Sequence, residues 1–105
     1  IDVILNSVDD LDSEGLRNMA DSLGQQLDSG IIILASKLSN KVLLVAKVTN
    51  DLVEQGYHAG KIIAEVAQVA GGGGGGRPDM AQAGGSQPDK IEAAFAKARE
   101  IITKN

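Results

Sequence analysis

The chain has 105 residues, of which 43% are hydrophobic and 23% charged, and its 10 basic and 14 acidic side chains give a net charge of −4. This composition is typical of a single globular domain and excludes an intrinsically disordered chain. Because cysteine is absent, thiol catalysis, disulfide bonds and a cysteine-ligated zinc site are also excluded. No apolar run reaches the roughly 20 residues that a membrane-spanning helix needs, so we expect a cytoplasmic protein without a membrane partner.

The charges are distributed unevenly along the chain. Residues 1–36 contain seven acidic residues and a single basic one, Arg17, whereas residues 37–105 contain nine basic and seven acidic residues. The second part can therefore present a basic face in spite of the acidic total. Because the chain begins at Ile1 rather than at a methionine, we expect it to be a piece of a longer protein.

The N-terminal part predicts a strand followed by a helix. Residues 2–6 form a short apolar run that is typical of a strand. Residues 10–27 have apolar residues at helical spacing, and either Asp12 or Ser13 is suited to cap the start of this helix. A helix with one apolar stripe must pack that stripe against another element, so we expect it to lie against the sheet.

Two further strands and a long helix follow. Residues 30–36 and 41–48 are nearly continuous in Ile, Val and Leu, as expected of strands that are covered on both faces, so helices should flank both sides of the sheet. Residues 50–70 predict one helix, in which Asp51 and Glu54 have the spacing of a capping box.

The C-terminal part completes an α/β fold. Residues 80–84 predict a short strand, and residues 88–105 predict a helix with Pro88 in its first turn. The predicted fold is a small mixed β-sheet flanked by helices, in the order β-α-β-β-α-(glycine loop, short β)-α. Because the last helix is too short to fold alone, we expect one domain over residues 1–105.

The most unusual feature of the sequence is a run of six glycines, 71–76, that ends at Arg77. Glycine-rich composition is typical of a flexible tether, but this tract joins two helices that depend on each other. A dinucleotide site or a P-loop is disfavoured, because a helix precedes the tract and no Gly-Lys-Ser/Thr follows. The third interpretation is close approach of the bare backbone to a large ligand, with Arg77 as a planar donor for phosphate or for stacking.

The segment GGGGGGRPDMAQAGG, residues 71–85, resembles the signature near the C-terminus of alanyl-tRNA synthetases, in the DHH-associated domain called C-Ala. In related phosphoesterases a histidine typically follows the glycines, whereas Arg77 and the following PDMAQ at 78–82 are similar to the synthetases. The resemblance implies a C-terminal domain that binds the outer corner of tRNA and supports aminoacylation and editing. Its partners would be alanine tRNA and the rest of the parent synthetase.

The same resemblance implies that this domain alone is not an enzyme and has no catalytic residue or cofactor. ATP, magnesium and zinc would belong to the parent, an ATP-dependent alanine–tRNA ligase. The single histidine, His58, cannot by itself build the histidine and cysteine metal site that the family uses for editing.

We expect recognition of tRNA by shape, because the chain has only two aromatic residues, Tyr57 and Phe95, on which bases could stack. Binding should depend on salt, since lysines would contact phosphates; Lys41 and Lys90 are candidates for such contacts. The predicted nucleic-acid-binding residues are Gly73, Gly74, Gly75, Gly76, Arg77, Asp79, Gln82, Gly84, Gly85, Lys47 and Lys61.

The alternative function is a structural module that dimerises the parent. It would need apolar residues exposed outside the core, and Ile62 and Val69 are the candidates. His58 is a candidate general base by residue type, but without a nucleophile or metal partner it is assigned a structural or surface role. Asp79 is expected to hold Arg77 or its loop.

Overall fold

The computed structural model describes residues 2–103 and confirms the predicted fold class and order of elements. The predicted helix at 88–105 is present as a short 3-10 turn followed by a helix, and its last two positions lie outside the described residues. The elements are, in chain order, β1 (Asp2–Asp9), α1 (Ser13–Gln25), β2 (Gly30–Lys37), β3 (Val42–Val48), α2 (Asn50–Glu54), α3 (Ala59–Val69), β4 (Gly72–Gly76), β5 (Met80–Gly85), the 3-10 turn (Pro88–Lys90) and α4 (Ile91–Thr103).

The sheet is mixed and has the strand order β1-β2-β3-β5-β4. β1 pairs with β2 in parallel, and the other neighbours pair antiparallel. β2 and β3 lie inside the sheet, and the apolar runs that form them are buried on both faces, as predicted. β4 lies at an edge, so one side of its backbone has no strand partner in the part of the chain that the structure describes.

Two hydrophobic cores hold the helices on opposite faces of the sheet, as the sequence predicted. On one face α1 packs against β2 and β3 through Leu16 and Ala20. On the other face α3 lies between the sheet and α4, and one core includes both Ile63 and Phe95. On its own face α1 therefore leaves β4 and β5 uncovered except at Met80, which is buried in the same core as Leu16. None of the helices within residues 2–103 is both long and apolar enough to cross a membrane.

The prediction of one helix over residues 50–70 is wrong, because the chain forms two helices separated at Gly56. This glycine has a φ of 105°, a left-handed conformation that L-residues rarely adopt. Its N–H donates to the carbonyl of Val53 at 3.1 Å, and the Tyr57 N–H donates to the carbonyl of Leu52 at 3.0 Å. These two bonds form a Schellman motif, which ends α2 and turns the chain before α3 begins.

Of the two predicted helix N-caps, the one at α1 is confirmed and the one at α2 is wrong. Asp12 caps α1, since its Oδ1 accepts a hydrogen bond from the Gly15 N–H at 2.8 Å. The capping box predicted from Asp51 and Glu54 is wrong, because the residue at the N-cap of α2 is Thr49. The helix therefore begins two residues earlier than that pattern requires.

The break at Gly56 changes the surroundings of the residues that follow it. His58 is not inside a helix but caps α3, where its Nδ1 accepts from the Lys61 N–H at 3.1 Å, so its role is structural, as expected.

The two apolar residues of α3 that were predicted to be exposed, Ile62 and Val69, are not exposed, so this prediction is wrong. Ile62 is 3% exposed and Val69 packs against the same core, because α3 is covered by the sheet on one side and by α4 on another. The dimerisation hypothesis thus loses the residues that supported it.

Asp51 ties the start of α2 to the turn before β2. The Ser29 Oγ donates to its Oδ2 at 2.5 Å and the Thr49 Oγ1 donates to its Oδ1 at 2.6 Å. The bond from Ser29 and then the bond from Thr49 lower the pKa of Asp51 below its ordinary value of 3.8. Since the folded state lowers the pKa, the ionised carboxylate stabilises the fold at neutral pH, and this stabilisation is lost as pH falls below 3.8 and through the lowered value.

We therefore expect Asp51→Asn to be less stable than the unsubstituted protein at neutral pH, with a difference that shrinks on acidification to about pH 3. Urea unfolding over this pH range measures the effect. Asp9→Asn removes the same charge from an exposed carboxylate and is the control. A difference between the Asp51 variant and the unsubstituted protein that stays constant with pH would contradict the assignment.

Candidate functional site

The glycine tract forms the strand β4 rather than the predicted loop. β4 pairs antiparallel with β5, from Gly72 opposite Gly85 to Gly76 opposite Ala81. The predicted short strand is present as β5. Glycine has a weak strand propensity, so local preference does not explain the strand. It forms because the bare backbone completes the ladder with β5 while α3 packs across it.

Alternate glycines of β4 have opposite surroundings, since successive residues of a strand point to opposite faces of the sheet. A Cβ added at Gly72 or Gly74 would collide with atoms of β5. A Cβ added at Gly73 or Gly75 would meet no atom within 4 Å. Packing within the domain therefore demands glycine at the first pair of positions and not at the second.

The packed face also brings α3 very close to β4. A Cβ added at Gly60 of α3 would lie 2.5 Å from the carbonyl oxygen of Gly76. At the other end of the strand pair, a Cβ added at Gly85 would collide with the carbonyl oxygen of Ala70. The glycines that point to this face are thus explained by close contact between backbones.

The opposite face of β4 and β5 is open, and beyond Met80 at the start of β5 these two strands have no large apolar side chain there. Gly73 lies opposite Gly84 and Gly75 lies opposite Gln82, so these four residues share one face; we call them the glycine shelf. α1 forms a wall beside the shelf, and two depressions of about 300 and 380 Å³ that share Gln82 lie there. The amide of Gln82 is the polar side chain on this floor. Such a surface suits a large, flat ligand that contacts the backbone.

Arg77 stands at the end of the shelf, where hydrogen bonds hold its backbone and its side chain is largely exposed. Its N–H donates to the carbonyl of Met80 at 3.0 Å, and its carbonyl accepts from the Gly60 N–H at 3.2 Å. The Arg77 Nε lies 3.3 Å from the Asp79 Oδ1, which confirms the predicted contact, and the arginine side chain is 74% exposed. The contact with Asp79 uses the Nε, and a guanidinium has two further nitrogens that can donate to an anion.

The predicted lysines are mostly separated from this surface. Lys47 lies on the shelf side of the sheet, but its Nζ is 3.2 Å from the Asp21 Oδ1, so its charge is compensated. Lys61 lies on α3, on the other side of the sheet from the shelf. Lys41 and Lys90 are exposed in the turn before β3 and in the 3-10 turn. The structure therefore brings Arg77, Asp79 and the shelf together, but not Lys61.

The wall of the groove contains residues that were not predicted. Ser13 and Leu16 line the depression beside Gly73, and Arg17 lines the depression beside Gly75. A signal for Arg17 was present in the sequence, since it is the single basic residue among residues 1–36. Its position beside the glycines could not be recognised without the packing of α1 on the sheet.

Residues 2–103 contain no group of three or more His, Asp or Glu side chains that could hold a metal ion. His58 uses its Nδ1 as a helix cap. The zinc that the resemblance implies for a parent synthetase therefore has no fitting donor set in the described part of this domain.

The family model of the DHHA1 domain matches residues 1–104. The chain therefore belongs to the DHHA1 domain family. Among solved structures, it is similar to the C-Ala domain of alanyl-tRNA synthetase from Aquifex aeolicus, with a TM-score of 0.89 and 35% identity over 94% of this chain and 88% of that one. This similarity confirms the resemblance to C-Ala that the glycine segment indicated.

The curated relatives with similar sequences are alanine–tRNA ligases. The chain is 50% identical over 100 residues to the alanine–tRNA ligase of Natranaerobius thermophilus, and 47% identical over 102 residues to that of Halalkalibacterium halodurans. These segments cover 95% and 97% of this chain but only 11% and 12% of the two ligases. The chain thus matches a small part of the length of these relatives.

Proposed function

We propose that this domain binds tRNA through the glycine shelf and Arg77, as the C-Ala domain of an alanine–tRNA ligase. The observation that carries the proposal is the presence of glycine at positions 73 and 75, where the fold has room for a side chain. A strand without side chains lets a large ligand approach its backbone. The curated relatives are tRNA ligases, which supports tRNA as that ligand.

The shelf is suited to recognition of shape rather than of base sequence. Its floor is backbone, and backbone contacts carry little sequence information. Phe95 is 5% exposed and Tyr57 is half-buried against the same core, so neither forms a platform on which single-stranded bases stack. We infer that the shelf lies against backbone, ribose or a flat exposed base pair at the outer corner of folded tRNA.

In this proposal the domain holds tRNA while other parts of the ligase act on it. The aminoacylation and editing reactions, with ATP, magnesium and zinc, are assigned to the rest of the ligase, because this chain corresponds to about a tenth of its relatives' length. A domain that binds the outer corner leaves the acceptor end free to reach both reaction centres. The ligase would work in the cytoplasm, together with the tRNA that it charges.

We expect Arg77→Ala to weaken binding to folded alanine tRNA about tenfold and to reduce the salt slope of log Kd by about one. The physical reason is the loss of one charged contact with a phosphate. Filter binding at low and moderate salt measures both quantities. Arg99→Ala is the matched control, since Arg99 is an exposed arginine on α4, across the sheet from the shelf.

Arg99→Ala should change the affinity by less than about twofold. An unrelated folded tRNA should compete as well as alanine tRNA if shape is what is recognised. Equal effects of the Arg77 and Arg99 substitutions, or binding that is insensitive to salt, would contradict the proposed surface.

A further inference from the structure

Arg17 is an exposed arginine of α1 that has no ion-pair partner among the residues that the structure describes. It lines the same depression as Arg77, together with Gly75, Gly76 and Gln82. The glycine segment itself does not include Arg17, which reaches this place only because α1 packs beside β5. The depression of about 380 Å³ is thus bordered by two arginines from distant parts of the chain.

Two acidic residues of α1, Glu14 and Asp21, have the helical spacing at which a carboxylate can pair with Arg17. Asp21 instead contacts Lys47 of β3, with 3.2 Å between Nζ and Oδ1. The aliphatic part of Lys47 lies over Gly24, where an added Cβ would be 2.5 Å from the Lys47 Cε. The packing of Lys47 against α1 therefore engages one of these carboxylates, and Glu14 makes no ion pair with Arg17 in the part of the chain that the structure describes.

We propose that Arg17 is a second phosphate-binding residue of the RNA-binding surface, acting beside Arg77 over the glycine shelf. This inference rests on the proposed function and extends it to α1, outside the glycine segment. Two guanidinium groups can bind the phosphate backbone of a folded RNA while glycine lets that backbone approach. Arg17 is also the single basic residue among residues 1–36, and the seven acidic residues of this segment would by their charge repel RNA.

The test compares Arg17→Ala, Arg17→Lys and Arg99→Ala in the whole 105-residue chain, with folded alanine tRNA as the probe. Arg17→Ala should weaken binding about tenfold and lower the salt slope of log Kd by about one. Arg17→Lys keeps the charge but not the planar fork, so it should keep the salt slope and lose part of the affinity. Arg99→Ala should stay within about twofold of the unsubstituted protein. Arg17 is exposed, so thermal unfolding should show all variants folded.

The outcomes separate this inference from the proposed function on which it rests. If Arg77→Ala weakens binding while Arg17→Ala behaves like Arg99→Ala, the role of Arg17 is refuted and the proposed function stands. If both Arg17→Ala and Arg77→Ala weaken binding and reduce the salt slope, both are supported. If the folded, unsubstituted chain does not bind tRNA, both are refuted.

Discussion

Replacing Gly74 with alanine is expected to lower the free energy of unfolding by about 3 kcal/mol. This is near the upper end of the destabilisation that is usual when a side chain is enlarged at a tightly packed site. The same replacement at the adjacent Gly75 should leave it unchanged or raise it by about 0.5 kcal/mol. At Gly74 the new Cβ would collide with Ala83 on β5 and with backbone there, so the strand pair must move apart. At Gly75 the Cβ enters open space, and alanine restricts the unfolded chain more than glycine does.

Urea unfolding followed by far-ultraviolet circular dichroism measures both changes. The two variants differ by the same methyl group at neighbouring positions of one strand, so each is the control for the other. Similar losses of stability at both positions would mean that the two faces of β4 are equally packed. That outcome would remove the argument that glycine at position 75 serves a ligand.

Gly75→Val should weaken binding to folded tRNA by at least about tenfold while the domain stays folded. Valine has a high strand propensity, and the open space at this position accommodates its side chain. Its methyl groups would project from the shelf and hold an RNA backbone away from the strand. The loss should persist at low salt, because the cause is steric and the charge of the surface is unchanged.

Filter binding, with thermal unfolding as the check of folding, tests this expectation. Ala96→Val adds comparable bulk at an exposed position of α4, on the opposite side of the sheet, and should not affect binding. Unchanged affinity of the folded Gly75→Val variant would exclude the shelf as the docking surface. Binding would then have to occur elsewhere on the domain.

Local sequence patterns were sufficient for much of the fold. The apolar runs at 30–36 and 41–48 predicted buried strands with helices on both sides, because burial on two faces removes the usual alternation of apolar and polar residues. Asp12 was one of the two residues predicted to cap α1, and its side chain does so. The segment at 71–85 indicated the family, since its glycines are followed by the particular residues of the synthetase signature.

Other features could not be read from local patterns. The apolar periodicity over 50–70 continues across Gly56, so nothing in that pattern showed that the chain would turn there. The sequence pattern predicts an exposed Ile62 because a surface helix has a single buried stripe, whereas α3 is covered on two sides. The glycine tract looked like a loop because glycine disfavours strands, and pairing with β5 outweighs that preference.

The sequence by itself determined the class of fold, the position of most helices and strands, and the family, since these follow from residue preferences and from short motifs. Only the tertiary structure decided which glycines serve packing and which remain open, because this depends on contacts between α3, β4 and β5. Likewise, Lys47 pairs with Asp21, and Arg17 lines the same depression as Arg77 without an ion-pair partner among the described residues. Such pairings join residues far apart in the chain, and only folding brings them within reach of each other.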